Sequence, residues 1–317
     1  MLILWIALGL VGLVIILSVS ASIYLICSSF TRVKNISQNF DNYCLRLKET
    51  GQPALAEKLS KGKNALESHP KEDVFIMAKD GKKLHGIIIE DNPEATKTAI
   101  LVHGYRGQGP SDFSSIWSYY KERGYRILVV DQRTHGLSEG HLITFGHKER
   151  YDLANWIEFI LATYGEDQKI VIHGVSMGAA TVMLSAALPE NEGRITALIA
   201  DCGYFSPKQQ FTHMFKNMKL PHFPLFYIAN VVNKIICGYW FGELHCGKAL
   251  SSVHIPVLLV HGEADDFVPT QCSIDNFAYA NEPKTLFLVP GAIHARSATL
   301  DTEGYWHQLD VLLENIT

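Results

Sequence analysis

Residues His173 to Ala180, "HGVSMGAA", set a serine between two glycines directly behind an apolar run, Lys169-Ile170-Val171-Ile172. Strand-forming residues before the serine and helix-forming residues after it mark a βα junction. A plain turn explains the glycines, which adopt backbone angles that other residues avoid. A nucleophile elbow, G-x-S-x-G, explains them too, because small neighbours let the chain turn sharply enough to expose one hydroxyl. Gly174, Ser176 and Gly178 satisfy both readings. The rest of the chain decides between them.

On either side of this stretch the pattern alternates. Val74-Phe75-Ile76-Met77, the turn at Lys79-Asp80-Gly81 and the run from Leu84 to Glu90 read as a hairpin. Apolar strands follow at Thr98–Val102, Arg126–Val130, Lys169–Ile172, Ile195–Ala200, Ile255–Val260 and Lys284–Val289. Helical stretches fall between them at Ser114–Glu122, Lys148–Tyr164 and Ser176–Ala187. Continuous Val/Ile/Leu runs separated by helices predict a mostly parallel eight-stranded sheet covered on both faces. From about residue 203 to residue 250 the alternation lapses. That segment is rich in Phe, Tyr, His and Met, holds Pro207, Pro221 and Pro224, and reads as a helical cap insertion.

Ligands of such sheets bind beyond the carboxyl ends of the strands, so chemically useful residues there carry weight. Ser176 follows one strand. "HGEADDFVP" puts Asp265 and Asp266 after the next-to-last strand, and "VPGAIHARS" puts His294 after the last. A serine hydroxyl is a poor nucleophile until a base takes its proton; imidazole does so near neutral pH, and a buried carboxylate fixes its tautomer. In "VHGYRGQG", Val102 to Gly109, glycines allow backbone N–H groups to turn inward. The amides of Tyr105 and Met177 are the candidate donors to a developing oxyanion, helped by the helix N-terminus behind Met177.

With these residues in view, the sequence resembles the α/β-hydrolase family from about Val74 to the C-terminus. The motifs H-G-x-x-G (His103 to Gly107), D-x-R-x-H-G-x-S (Asp131 to Ser138), G-x-S-x-G, H-G-x-x-D-x-x-V-P (His261 to Pro269) and the late G-x-x-H occur in the family's order. Within the family it is similar to membrane-anchored bacterial hydrolases of the Bem46-like and serine-peptidase-like kind. The resemblance implies a serine hydrolase with Ser176, Asp265 and His294 as catalytic residues and Tyr105 and Met177 as the oxyanion hole. It implies a small-molecule ester or amide substrate, with no cofactor and no metal.

Rivals exist for each role. Asp266 reads as a loop-surface carboxylate, while Asp201, one strand earlier, is a second place for the acid. His103, His135, His173 and His261 fit strand ends or turns where imidazole bonds backbone, and His307 falls in the terminal helix pattern. Asp131, Arg133 and His135 read as organisers of a neighbouring loop. Carboxylic esters are the first reading of the substrate, with small peptides or amides and lysophospholipids or other lipids as alternatives. A membrane-tethered module that binds without turnover is the non-enzyme alternative.

Composition narrows the rest. The chain has 317 residues, 47% of them hydrophobic and 19% charged, with a formal net charge of −4. Its basic residues are scattered, which excludes a nucleic-acid partner as the reading. Leu2 to Cys27 contains no charged residue. At about 1.5 Å per residue such a helix crosses a hydrocarbon core of roughly 30 Å. The run exceeds a usual signal-peptide core and lacks a basic leader and a small-residue cleavage site, so it reads as an uncleaved anchor. The expected domains are a transmembrane anchor at 1–29, a helical connector at 30–70 broken near Gly51-Gln52-Pro53, and the hydrolase domain at 71–317, catalytically self-sufficient without the anchor. Arg32, Lys34, Arg46 and Lys48 follow the span and favour a cytoplasmic domain on a single-pass chain. The six cysteines are irregularly spaced and read as free thiols. Cys237, His245 and Cys246 lack metal-site spacing.

Overall fold

A computed structural model describes residues 1–32 and 36–314, with the side chains of 11 and 36–39 left aside. Eight strands form one sheet: β1 (Glu72–Met77), β2 (Lys83–Ile89), β3 (Lys97–Val102), β4 (Arg126–Val130), β5 (Lys169–Val175), β6 (Ala197–Asp201), β7 (Val257–Gly262) and β8 (Lys284–Val289). Their order is β1-β2-β4-β3-β5-β6-β7-β8. β2 pairs antiparallel with both neighbours, and every other pairing is parallel. Parallel strands need crossovers, and here helices supply most of them: α4 (Gly109–Asp112) and α5 (Trp117–Glu122) before β4, α6 (Glu149–Tyr164) before β5, and α7 (Met177–Ala186) before β6.

Side-chain alternation along the strands builds two cores. Ile100, Val102, Leu128, Ile170, Ile172 and Leu198 meet α6 and α7 on one face. Ala99, Leu101, Ile127, Val129, Val171 and Ile199 meet the opposite layer, with Tyr119 and Tyr120 of α5 and Tyr305 of the last helix. Strands buried on both faces explain why the sequence shows continuous apolar runs there.

Between β6 and β7 the chain is helical: α8 (Pro207–Asn217), a π-helical turn (His222–Phe226), α9 (Tyr227–Cys237) and α10 (Cys246–Leu250). This is the stretch where the sequence loses its strand–helix alternation. The fold closes with α11 (Gln271–Tyr279), α12 (Ser297–Leu300) and α13 (Thr302–Glu314).

Ahead of the sheet lie three helices, α1 (Leu2–Phe30), α2 (Ile36–Glu49) and α3 (Pro53–Ser68), with the expected break at Gly51-Gln52. Leu47 of α2 and Leu59 of α3 are buried against each other, while Leu45 faces outward. Lys34 lies outside the described residues. α1 is long and apolar enough to cross a membrane, on length and composition.

The reading of the charge-free run as a part separable from the domain does not anticipate its packing. Ser22, Ile26 and Phe30 of α1 are buried. The Phe30 ring sits 4.8 Å from that of Phe145 and 5.7 Å from that of Phe211. The carbonyls at the end of the helix, which have no partner within it, are met by the domain. Ile143 N–H donates to Phe30 O at 2.6 Å, the Tyr105 hydroxyl to Ser29 O at 2.7 Å, and Arg106 to Ser28 O.

Emptying the Phe30 site should therefore be costly. Phe30 is 1% exposed, and Phe30→Ala is expected to lower stability by about 3–5 kcal/mol, measured by denaturant unfolding of the detergent-solubilised full chain. Unchanged stability would mean that the end of α1 is not part of the folded core.

Candidate active site

The site starts from the turn between β5 and α7. Ser176 has φ 57° and ψ −117°, a conformation that side-chain-bearing residues seldom adopt. The two glycines around it are required by contact. A Cβ on Gly174 would lie 2.2 Å from Gly178 O, and one on Gly178 would lie 1.9 Å from Val102 O. The turn is held from below by Ser176 N–H, which donates to Asp201 O at 2.8 Å.

Because β5, β7 and β8 are parallel, their carboxyl ends open at one edge of the sheet, and the loops beyond them meet there. Ser176 Oγ lies 2.9 Å from His294 Nε2, and His294 Nδ1 lies 2.7 Å from Asp265 Oδ2. The Asp265 side chain is buried, and its other oxygen accepts Phe267 N–H at 3.0 Å and Val268 N–H at 2.9 Å. His261 Nε2 approaches Asp265 at 3.2 Å as well. Burial alone would raise the Asp265 carboxyl. Hydrogen bonds from His261 and His294, the charge of His294 and the Val268 amide outweigh it and hold the group well below the usual carboxylate range. Asp265 is thus built to stay ionised against the imidazole.

Of the rival residues, only His261 has a side chain in contact with this relay, through Asp265. Asp266 is exposed. Asp201 is buried beneath the elbow, where burial raises its carboxyl to about 6; Ser297 Oγ donates to it at 3.4 Å, and no hydrogen bond joins it to His294. His103 and His135 bond backbone, as their positions suggested: His103 Nδ1 to Gly104 O and His135 Nδ1 to Arg133 O. His261 bonds Val268 O and the Ser273 hydroxyl. His173 departs from that expectation. Its two nitrogens bond the hydroxyls of Tyr120 and Tyr305, both at 2.9 Å, and burial lowers it to about 3. His307 is on α13.

The loop after β3 is pinned one amide at a time. Gly104 N–H donates to Asp112 Oδ2 at 2.7 Å, Arg106 N–H to His135 Nε2 at 3.1 Å, and Gly107 N–H to Gly104 O at 3.1 Å. Among the described residues the amides of Tyr105 and Met177 have no acceptor. Both residues border the same narrow apolar chamber as Ser176.

Asp131, Arg133 and His135 do form a neighbouring frame. Asp131 takes His85 Nδ1 at 2.6 Å and Leu137 N–H at 2.9 Å; Arg133 grips Asp152 through two bonds of 2.6 Å. Sequence reasoning missed Asp112, whose role depends on a turn of chain that no motif marks. It also missed Phe40 and Tyr43 of α2, which line a cleft of about 310 Å³ over Ser176 with Phe267 and Arg296. The chamber on the other side measures about 20 Å³ and is bordered by Ser29, Phe145, Tyr204 and Met214. Cys202, Asp265 and His294 bring their ligand atoms within 4.8 Å of one another. Burial raises the Cys202 thiol well above its usual value, so it stands as a neutral neighbour of Asp265 and His294.

A family model described as the alpha/beta hydrolase fold matches residues 98–223. YqkD of Bacillus subtilis is 25% identical over 273 residues, covering 85% of this chain and 88% of its own. Protein bem46 of Schizosaccharomyces pombe is 24% identical over 228 residues, 71% of this chain and 70% of its own. Among solved structures, the Pyrococcus furiosus esterase Pf2001 superposes with a TM-score of 0.64 at 24% identity, over 78% of this chain and 92% of that one. An eight-stranded sheet with β2 reversed, a serine elbow after β5 and matches of this kind define the class. The chain has the α/β-hydrolase fold.

The environment of Asp265 makes an acid-stability prediction. Its folded-state pKa lies below the ordinary aspartate value of about 3.9. The stabilisation it gives is therefore complete above that value and lost as pH falls through the lower folded value. Asp265→Asn cannot undergo this loss. Unfolding free energies of the two proteins should converge as pH is lowered below about 4, and a gap independent of pH would refute the assignment.

Proposed function

We propose that the protein is a serine hydrolase that cleaves carboxylic esters through an acyl-enzyme. The observation that carries this reading is the continuous chain Ser176 Oγ–His294 Nε2 (2.9 Å), His294 Nδ1–Asp265 Oδ2 (2.7 Å), set beside two unpaired amides. His294 takes the Ser176 proton as Oγ attacks the ester carbonyl, and the ionised Asp265 stabilises the imidazolium. The amides of Tyr105 and Met177 receive the oxyanion, with the N-terminus of α7 behind them. His294 then gives its proton to the departing alkoxide. Water, deprotonated by the same imidazole, attacks the acyl-Ser176 ester and releases the acid. The name of the Pyrococcus neighbour, an esterase, points the same way. A binding module would have no use for a strained serine, an oriented imidazole and two free donors together.

The two hollows around Ser176 divide the substrate. The chamber of about 20 Å³ beside Met177 suits a small acyl group, and the cleft of about 310 Å³ suits the alcohol part. Along a series of p-nitrophenyl esters, kcat/KM is expected to be highest for acetate and to fall steadily towards hexanoate. A rise along that series would reverse the assignment of the two hollows.

Ser176→Ala should abolish both ester turnover and covalent labelling by a fluorophosphonate, a loss of several orders of magnitude in kcat, with the fold retained by circular dichroism. Labelling that survives would identify another nucleophile. Asp265→Asn should cost about 10⁴ in kcat, because an amide favours the wrong imidazole tautomer. Asp266→Asn and Asp201→Asn should keep most of the rate. Loss in Asp201→Asn alone would move the acid to β6.

A further inference from the structure

α1 is apolar throughout, but its two halves have different surroundings. From Leu2 to Leu10 and from Leu13 to Leu17 the large side chains stand free of the protein; from Ser18 onward a stripe at Ser22, Ile26 and Phe30 is buried. The partner of that second half is α9 with the π-helical turn before it. Ser22 Oγ, which donates to Ser18 O, lies 3.3 Å from Leu225 O of that turn.

α9 has an unusual outer face. Its exposed residues are Tyr227, Val231, Ile235 and Ile236; Lys234 beside them turns its ammonium back to Gly238 O and Glu243 past the end of the helix. Three of them recur every four residues, a single stripe along the helix. Ile235 is 78% exposed, and Phe223, in the turn before α9, is 79% exposed. A helix facing water carries polar residues on that side, and soluble monomers seldom leave so contiguous an apolar surface uncovered. Ile23 and Tyr24 of the neighbouring α1 are also exposed.

We propose that this face of α9 is immersed in the same lipid bilayer as α1. The inference rests on α1 being retained as the membrane anchor and is independent of the chemistry assigned to Ser176. Length supports it. The free turns from Leu2 to Leu17 measure about 24 Å along the axis at about 1.5 Å per residue, short of a hydrocarbon core of roughly 30 Å. A span of about 20 residues from Leu2 takes in the turn from Ser18 to Ala21, and the turn before α9 is packed on the next residue, Ser22. The membrane boundary then falls on the insertion itself. Tyr227 and Trp240 are the residue types that settle at such a boundary.

The test uses the full chain with Cys27→Ser, since the other five cysteines are buried and will not take a label. An environment-sensitive fluorophore is placed on Ile235→Cys, on Leu10→Cys in α1, or on the exposed Glu166→Cys far from both. Each protein is reconstituted into phosphatidylethanolamine–phosphatidylglycerol vesicles with and without brominated acyl chains. Labels at 10 and 235 are expected to lose most of their fluorescence to bromine, and the label at 166 to keep it. Quenching at 10 without quenching at 235 overturns the proposal while leaving the anchor. No quenching at 10, or a membrane-free chain that lacks α1 by intact mass, overturns it through the anchor. Unlabelled Ile235→Cys chains that cross-link to each other, with the label at 235 unquenched, assign the face to a second copy of this chain instead.

Discussion

The close approach of α7 to the end of β3 is the constraint from which the site follows. Gly178 sits so near Val102 O that any side chain would collide with it, and Gly174 is equally close to Gly178 O. With both positions reduced to backbone, the chain reverses within one residue. Ser176 then takes a conformation that costs of order 1–3 kcal/mol. The strain is held by Ser176 N–H on Asp201 O and by the buried helix that follows. In return the hydroxyl faces the loops beyond β7 and β8, and the first amide of α7 is left without an acceptor. A single packing requirement thus places both the Ser176 hydroxyl and one of the two amides proposed to receive the oxyanion.

The second donor depends on a different kind of order. Around Tyr105 the neighbouring amides are each bound, to Asp112, His135 and Gly104 O, so that the one remaining N–H is left by elimination. His135 can accept from Arg106 only as neutral imidazole. Burial first, and then the nearby His103, lower it to about 3, so it stays in that form. Arg133, two residues earlier, fixes the same turn through Asp152 and Asp80. The D-x-R-x-H-G-x-S motif therefore acts on the site through the backbone of another loop.

The sheet was legible in the chain because strands buried on both faces leave uninterrupted apolar runs; the spans expected for β4 and β8 coincide with those observed. The residues at strand ends were legible because topology alone assigns them to one edge, which singled out Ser176, the Asp265-Asp266 pair and His294; only the match of Asp265 to H-G-x-x-D-x-x-V-P separated it from Asp266. Partners distant in sequence were not legible. His173 looked like a backbone-bonded histidine, yet its partners are Tyr120 and Tyr305, the latter separated from it by 132 positions. Phe40 and Tyr43 looked like part of a connector because nothing in an amphipathic helix states what it will cover. In α1 every face is apolar, so periodicity gives no clue to which side is packed.

That packing changes what α1 is for. A tether needs only length and apolarity, and any link to the domain would serve. Here the last turn of the helix ends on groups that belong to the site. The Tyr105 ring stacks on Phe145 with centroids 5.3 Å apart, and its hydroxyl donates to Ser29 O. Phe145 in turn packs on Phe30. Tyr105 borders the chamber beside Ser176, and so does Ser29. Removing α1 would free the Tyr105 and Arg106 side chains, open the chamber at Ser29 and expose Phe145 and Phe211 to water. The end of the apolar helix is one wall of the site, so the helix and the loop that holds Tyr105 must be ordered together.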